Sequence, residues 1–261
     1  MTSWITLFYK EFRASKMWIY FNILLILIGA AVFFFIDETQ IVLYSLLVMI
    51  LFHVIYLPVW VIYSIFTEWK NRTLVHWFNL PHSGFVLLTA KYVAGIVMMI
   101  VSLIVCNSLL VLLYSSILDT SNELVIQASD WFVTHFWSIF VGTMIMAIFS
   151  GTQVVCAIII AKSATRFGLI FVAIFLLLPT LFQILFHDTI GYTKLVSWGM
   201  TTSASAEWLH PLLLNQHETL PAINVLSELT IFSLGIMLPQ LVYSILLIWI
   251  SSKLLDKAVQ V

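Results

Sequence analysis

Charge is what this sequence has least of. Only 9% of its 261 residues are charged while 62% are hydrophobic, and the mean hydropathy is +1.09. A soluble domain carries about a quarter charged residues, so lipid has to be the solvent for most of this chain. No cluster of Lys and Arg forms a stripe, which argues against nucleic acid as a partner. Cysteine is equally scarce. Cys106 and Cys156 both lie in apolar runs without CxxC or Cys/His spacing, and read as small buried hydrophobes. None of the nine glycines fits a GxxxxGK[ST] loop, so the chain does not bind ATP by that motif. Neither HExxH nor a GxSG context with a partner His occurs; Ser150-Gly151 lacks one. No enzyme activity and no cofactor or metal of its own is therefore expected. Carboxylates are missing from the apolar runs, which removes the acidic chain of a proton-coupled carrier.

What remains is a series of long apolar runs. Six are long enough to span a bilayer, at about 17–36, 41–66, 88–118, 131–161, 167–186 and 231–250. The second and fourth exceed a ~30 Å hydrocarbon core at 1.5 Å per residue and must tilt, kink or project. Pro58 and Pro179 are the expected kink points, since proline removes an intrahelical hydrogen bond. The first run ends in AVFFFIDE without a cleavage site and reads as a retained span.

The basic residues orient the runs. Lys10, Arg13, Lys16, Lys70, Arg72, Lys91, Lys162, Arg166, Lys253 and Lys257 fall on one side, and Lys194 alone on the other. The positive-inside rule assigns the first side, and both termini, to the cytoplasm. Residues 1–16 carry Trp4, Phe8 and Phe12 at i, i+4 spacing with Ile5 beside them, while Lys10 and Arg13 point away. That pattern predicts an N-terminal helix lying in the inner membrane interface. The outer stretch 187–230 holds AEWLHPLLLNQ, apolar but too short to span, and predicts a re-entrant or surface helical segment. Its histidines, His187, His210 and His217, lack metal-ligand spacing and read as solvated. The fold expected is all-α: one polytopic membrane domain over 1–261 with six transmembrane helices.

Polar residues inside the runs are His53, Asn107, Ser108, Gln153, Gln183 and Gln240. An ionisable residue at the depth of His53 is a functional candidate by default. The structural alternative is a neutral imidazole bonded to Asn107 or Gln153, and the lack of a partner carboxylate favours it. Ala147 and Gly151 give the small-xxx-small spacing of close helix packing.

One segment departs from a minimal loop: FTEWKNRTLVHWFNLPHSG, residues 66–84. On a helix over 67–80, Trp69, Thr73, Leu74, Trp77, Phe78 and Leu80 share one half of the circumference. Asn71, Arg72, His76 and Asn79 take the other, and Pro81 stops the helix. Such an amphipathic helix either docks a cytoplasmic partner or anchors the loop in the interface; periodicity serves both equally.

The segment resembles the type 2 family of ATP-binding-cassette permeases, which have the type V exporter fold. These carry an acidic residue at the end of span 2, a Thr/Leu-rich helix, a Leu-Pro turn and a basic residue opening span 3. Here the positions read Glu68, Thr73, Leu74, Leu80-Pro81 and Lys91, and YKEFRASKMW is similar to the family's entry helix. Where the turn often carries a basic residue, this chain has His82-Ser83-Gly84. The resemblance implies a permease subunit of an ATP-driven exporter, paired with a second permease and bound to a separate cytoplasmic ATPase that holds ATP and Mg. Residues 67–80 would then be the coupling helix, with Glu68, Trp69, Arg72, Thr73, Leu74, Trp77, Phe78 and Pro81 contacting the ATPase. Similarity to compact permeases of low-GC Gram-positive bacteria implies a bacterial cell membrane and an amphipathic peptide or lipid-like cargo. The competing readings are an ATP-independent carrier or channel, and a non-transporting scaffold or sensor subunit.

Overall fold

A computed structural model describes residues 2–14, 16–33, 38–70, 83–117, 123–163, scattered positions between 170 and 185, 189–198 and 234–258. The described residues are helical throughout apart from short turns, as Val-, Ile- and Leu-rich runs without internal turn residues dictate. In chain order the helices are α1 (Thr2–Ala14), α2 (Lys16–Phe33), α3 (Glu38–Lys70), α4 (Gly84–Ile117), α5 (Glu123–Ser163), α6 (Ile190–Ser197) and α7 (Leu234–Ala258).

Four of these are long and apolar enough to cross a membrane, over Val48–Glu68, Gly84–Leu112, Phe136–Ala161 and Gly235–Asp256. Helices α1 and α2 meet at a 51° bend and would make a fifth, broken span if taken together. The run expected at 167–186 falls largely outside the described residues, although the positions described between 170 and 185 are helical. At 41 residues α5 is the longest helix, about 60 Å at 1.5 Å per residue. It therefore projects well beyond a ~30 Å apolar layer.

Helix α4 sits at the centre, touching α1, α2, α3, α5 and α7, while α5 packs extensively on both α3 and α7. The core between them is built from Leu57, Trp60 and Val61 of α3, Leu88, Met98, Met99 and Leu103 of α4, and Ala147 and Val155 of α5. Close approach depends on small residues. A Cβ on Gly95 would lie 2.6 Å from the Trp60 ring and 2.7 Å from Leu57. Gly151 lets Leu57 and Pro58 come within ordinary contact, as its small-xxx-small spacing predicts. Outward stripes remain apolar: Val48, Leu51, Ile55 and Val59 on α3, and Leu238, Val242, Ile245 and Trp249 on α7 are exposed. A soluble core would bury such faces; a bilayer covers them.

Two prolines lie inside helices that continue past them, Pro58 in α3 and Pro239 in α7. Pro58 cannot donate to Val54 O, and Ser150 of α5 does so instead, its Oγ at 3.0 Å. The same hydroxyl lies 3.1 Å from Ala147 O, so its single proton is shared between a neighbouring helix and its own.

Among the described residues of the 187–230 stretch, α6 is helical; the AEWLHPLLLNQ motif lies outside the described residues with His187, His210 and His217. Thr189 caps α6 by accepting the Tyr192 amide at 3.2 Å. Trp198 O then accepts from Gly235 N at 3.1 Å, tying α6 to the start of α7.

Candidate functional site: an ionic junction of three helices

Ser64 and Glu68 lie one turn apart near the end of α3, so both side chains leave the same face. Lys91 lies two turns into α4, and Glu11 near the end of α1. The fold brings these four together. Lys91 is fully buried, and its ammonium donates to Glu11 Oε1 at 2.7 Å and Ser64 Oγ at 2.6 Å, with Glu68 Oε1 at 3.1 Å. Three N–H donors thus meet three acceptors. Ser64 passes its own proton to Glu11 Oε2 at 2.8 Å. Lys10, half exposed, closes the cluster on Glu68 Oε1 at 3.1 Å.

Burying an ammonium is expensive, and only close carboxylates and complete hydrogen bonding offset the lost hydration. The carboxylates come from two different helices, so α1 is part of what allows Lys91 to be buried. The rest of the α1 contact is aromatic. Trp4, Phe8 and Phe12 stack along one face, with centroids 5.7 and 6.0 Å apart, and Trp4 Nε1 donates to Thr89 Oγ1 of α4 at 3.3 Å. This stripe, expected to face lipid, packs against protein, while Ile5 and Tyr9 are exposed. The periodicity marked a contact face, and in the structure that face packs on α4.

A second contact joins the start of α4 to the end of α7. Ser83 O accepts the first intrahelical bonds, from Val86 N and Leu87 N, which leaves the Gly84 amide without a helical acceptor. Asp256 Oδ1 takes it at 2.7 Å. A carboxylate at a helix N-terminus is also favoured by the macrodipole.

Deeper in the bundle, His53 Nδ1 lies 2.8 Å from Met49 O, which can only accept, so that nitrogen carries the proton. In the neutral ring Nε2 then accepts the Ser102 hydroxyl, also at 2.8 Å. The bond joins α3 to α4. Its partner is neither Asn107, whose amide turns back to Leu103 O at 2.7 Å, nor Gln153.

Of the residues expected to contact an ATPase, Glu68 enters the junction with its side chain directed at Lys91 and Lys10. Helix α3 runs unbroken through Lys70, so Glu68 and Trp69 lie on the same helix as the residues before 67. The Trp69 side chain and Arg72, Thr73, Leu74, Trp77, Phe78 and Pro81 lie outside the described residues. Sequence reasoning missed Glu11, Ser64 and Asp256 as partners. The one available signal was an acid, Glu11, within an aromatic stripe.

No protein-family model matches the chain, and neither a curated protein nor a solved structure matches it.

Proposed function

We propose that this chain is the membrane-spanning permease subunit of an ATP-driven exporter, acting as a dimer with a second permease and driven by a separate cytoplasmic ATPase. The observation that supports it is the Glu68–Lys91 contact at 3.1 Å. These are the acidic end of span 2 and the basic opening of span 3 on which the family resemblance rests. The contact joins the two helices that flank residues 71–82, the stretch in which Arg72, Thr73, Leu74, Trp77, Phe78 and Pro81 would meet the ATPase. A rigid pair of flanking helices suits a segment that has to pass on a push. Under this reading both termini are cytoplasmic, and the apolar bundle favours an amphipathic cargo such as a membrane-active peptide.

The test is to tag the chain, purify it in mild detergent from the bacterium that encodes it, and assay for vanadate-sensitive ATP hydrolysis stimulated by a synthetic amphipathic helical peptide. Bound ATPase with peptide stimulation is the expected result. Peptide transport by the chain alone, without ATP, would establish a carrier instead. A bound ATPase that no peptide, lipid or drug stimulates would establish a scaffold or sensor.

A further inference from the structure

The contact between Asp256 and Gly84 lies apart from the ionic junction, and the reading above makes no use of it. It joins the first turn of α4 to the last turns of α7 through a charge-assisted bond of 2.7 Å. The fit around it is tight. A Cβ on Gly84 would meet Ser252 O at 2.9 Å, Asp256 Oδ1 at 3.1 Å and Leu255 Cβ at 3.2 Å, so no side chain is tolerated there without moving α7 backbone. Ser251 and Ser252 beside it are buried, and α7 packs along α4. Glycine at 84 and aspartate at 256 thus act as one fitting: the first permits the approach and the second fixes it.

We infer that Asp256 is a positioning residue that clamps the end of α7 to the start of α4, so that the two ends move as one body. Gly84 follows residues 71–82 with only Ser83 between. Any displacement delivered there reaches α4 at its first turn, and the clamp passes it to α7 without acting through the core. Helix α7 in turn contacts α5 and, through Gly235 and Trp198, the short helix α6 at its other end. Input at one end of α4 therefore has a route through this one hydrogen bond and then along the α7 backbone to the far end of the bundle. The clamp itself does not depend on the proposed exporter function; its use in coupling does.

Spin labels at Phe85 and Lys253, both exposed, report the clamp in the purified full-length chain. The native chain is expected to give a single narrow distance distribution. Asp256→Ala should broaden it, and Asp256→Asn, which keeps an acceptor oxygen, should restore it. An Asp256→Ala distribution as narrow as the native one would overturn the clamp, whether or not an ATPase is bound. In the complex with the ATPase, Asp256→Ala should keep the ATPase at native stoichiometry yet lose peptide stimulation of hydrolysis, with Asp256→Asn recovering it. Full stimulation in an Asp256→Ala chain with a broadened distribution would remove the clamp from the coupling route. If the native chain carries no ATPase, the exporter reading fails and the distance measurement still decides the clamp.

Discussion

Ser150 Oγ lies 3.0 Å from the carbonyl oxygen of Val54, the acceptor that Pro58 four residues later cannot serve. A donor on α5 thus repairs a defect in α3, where no water is at hand to do it. Ser150→Ala should cost about 1 kcal/mol. In a Pro58→Ala background the backbone N–H returns, and the same substitution should cost close to nothing. Unfolding in mixed micelles of graded SDS content measures both arms; additive costs would show that the two residues are independent.

Gly95 is a point of close approach in the core. Adding one methyl group there drives it against Trp60 and Leu57, so Gly95→Ala should destabilise by about 1–3 kcal/mol. Leu57→Ala, made together with Gly95→Ala, opens part of the required space. The pair should be less destabilised than the sum of the two single changes in the same unfolding assay.

Lys91 is a buried cation held by two helices. Lys91→Met removes the ammonium and leaves Glu11 and Glu68 facing each other, at a cost of about 3–5 kcal/mol. Adding Glu11→Gln and Glu68→Gln to that variant removes the stranded charges and should recover a large part of the loss. Thermal unfolding in detergent, compared across the native chain and the two variants, distinguishes this from a packing effect, which the Gln changes would not relieve.

His53 and Ser102 make a structural bond between α3 and α4, so Ser102→Ala is expected to cost about 1 kcal/mol and leave function intact. A His53→Phe variant that folds normally should behave likewise. Normal folding with loss of transport in that variant would move His53 from scaffold to pathway.

Trp77 and Phe78 carry the large apolar surface of the 66–84 segment. If that segment docks the ATPase, Trp77→Ala with Phe78→Ala should release it or abolish coupled transport while membrane insertion stays native. Co-purification and a transport assay on the same preparation check this. Normal transport with the ATPase retained would make the segment an anchor.

Four of the six expected runs were legible as helices able to cross a membrane, because a run of about 20 apolar residues is a local property, needing no knowledge of neighbours. In its structural reading His53 was expected to bond Asn107 or Gln153, and its partner on the facing helix is Ser102 instead. Rotation was not legible. Asn107 and Ser102 sit on the same helix five residues apart, and only the packing of α3 on α4 decides which faces His53. The aromatic stripe of α1 shows the same division. Spacing defines a sticky face, whereas lipid and protein satisfy it equally well. The ionic junction was illegible for a further reason: its members Glu11, Ser64, Glu68 and Lys91 come from three helices, and the resemblance that singled out Glu68 and Lys91 gave no reason to join them to each other or to Glu11 and Ser64.

The cap on α4 also sets a timetable. Its acceptor, Asp256, is synthesised 172 residues after the amide it serves, and Glu11 waits 80 residues for Lys91. The Glu11–Lys91 contact therefore cannot form until α4 has been made, nor the α4 cap until α7 has been made. Among the described helices, α7 is the one whose arrival completes that cap.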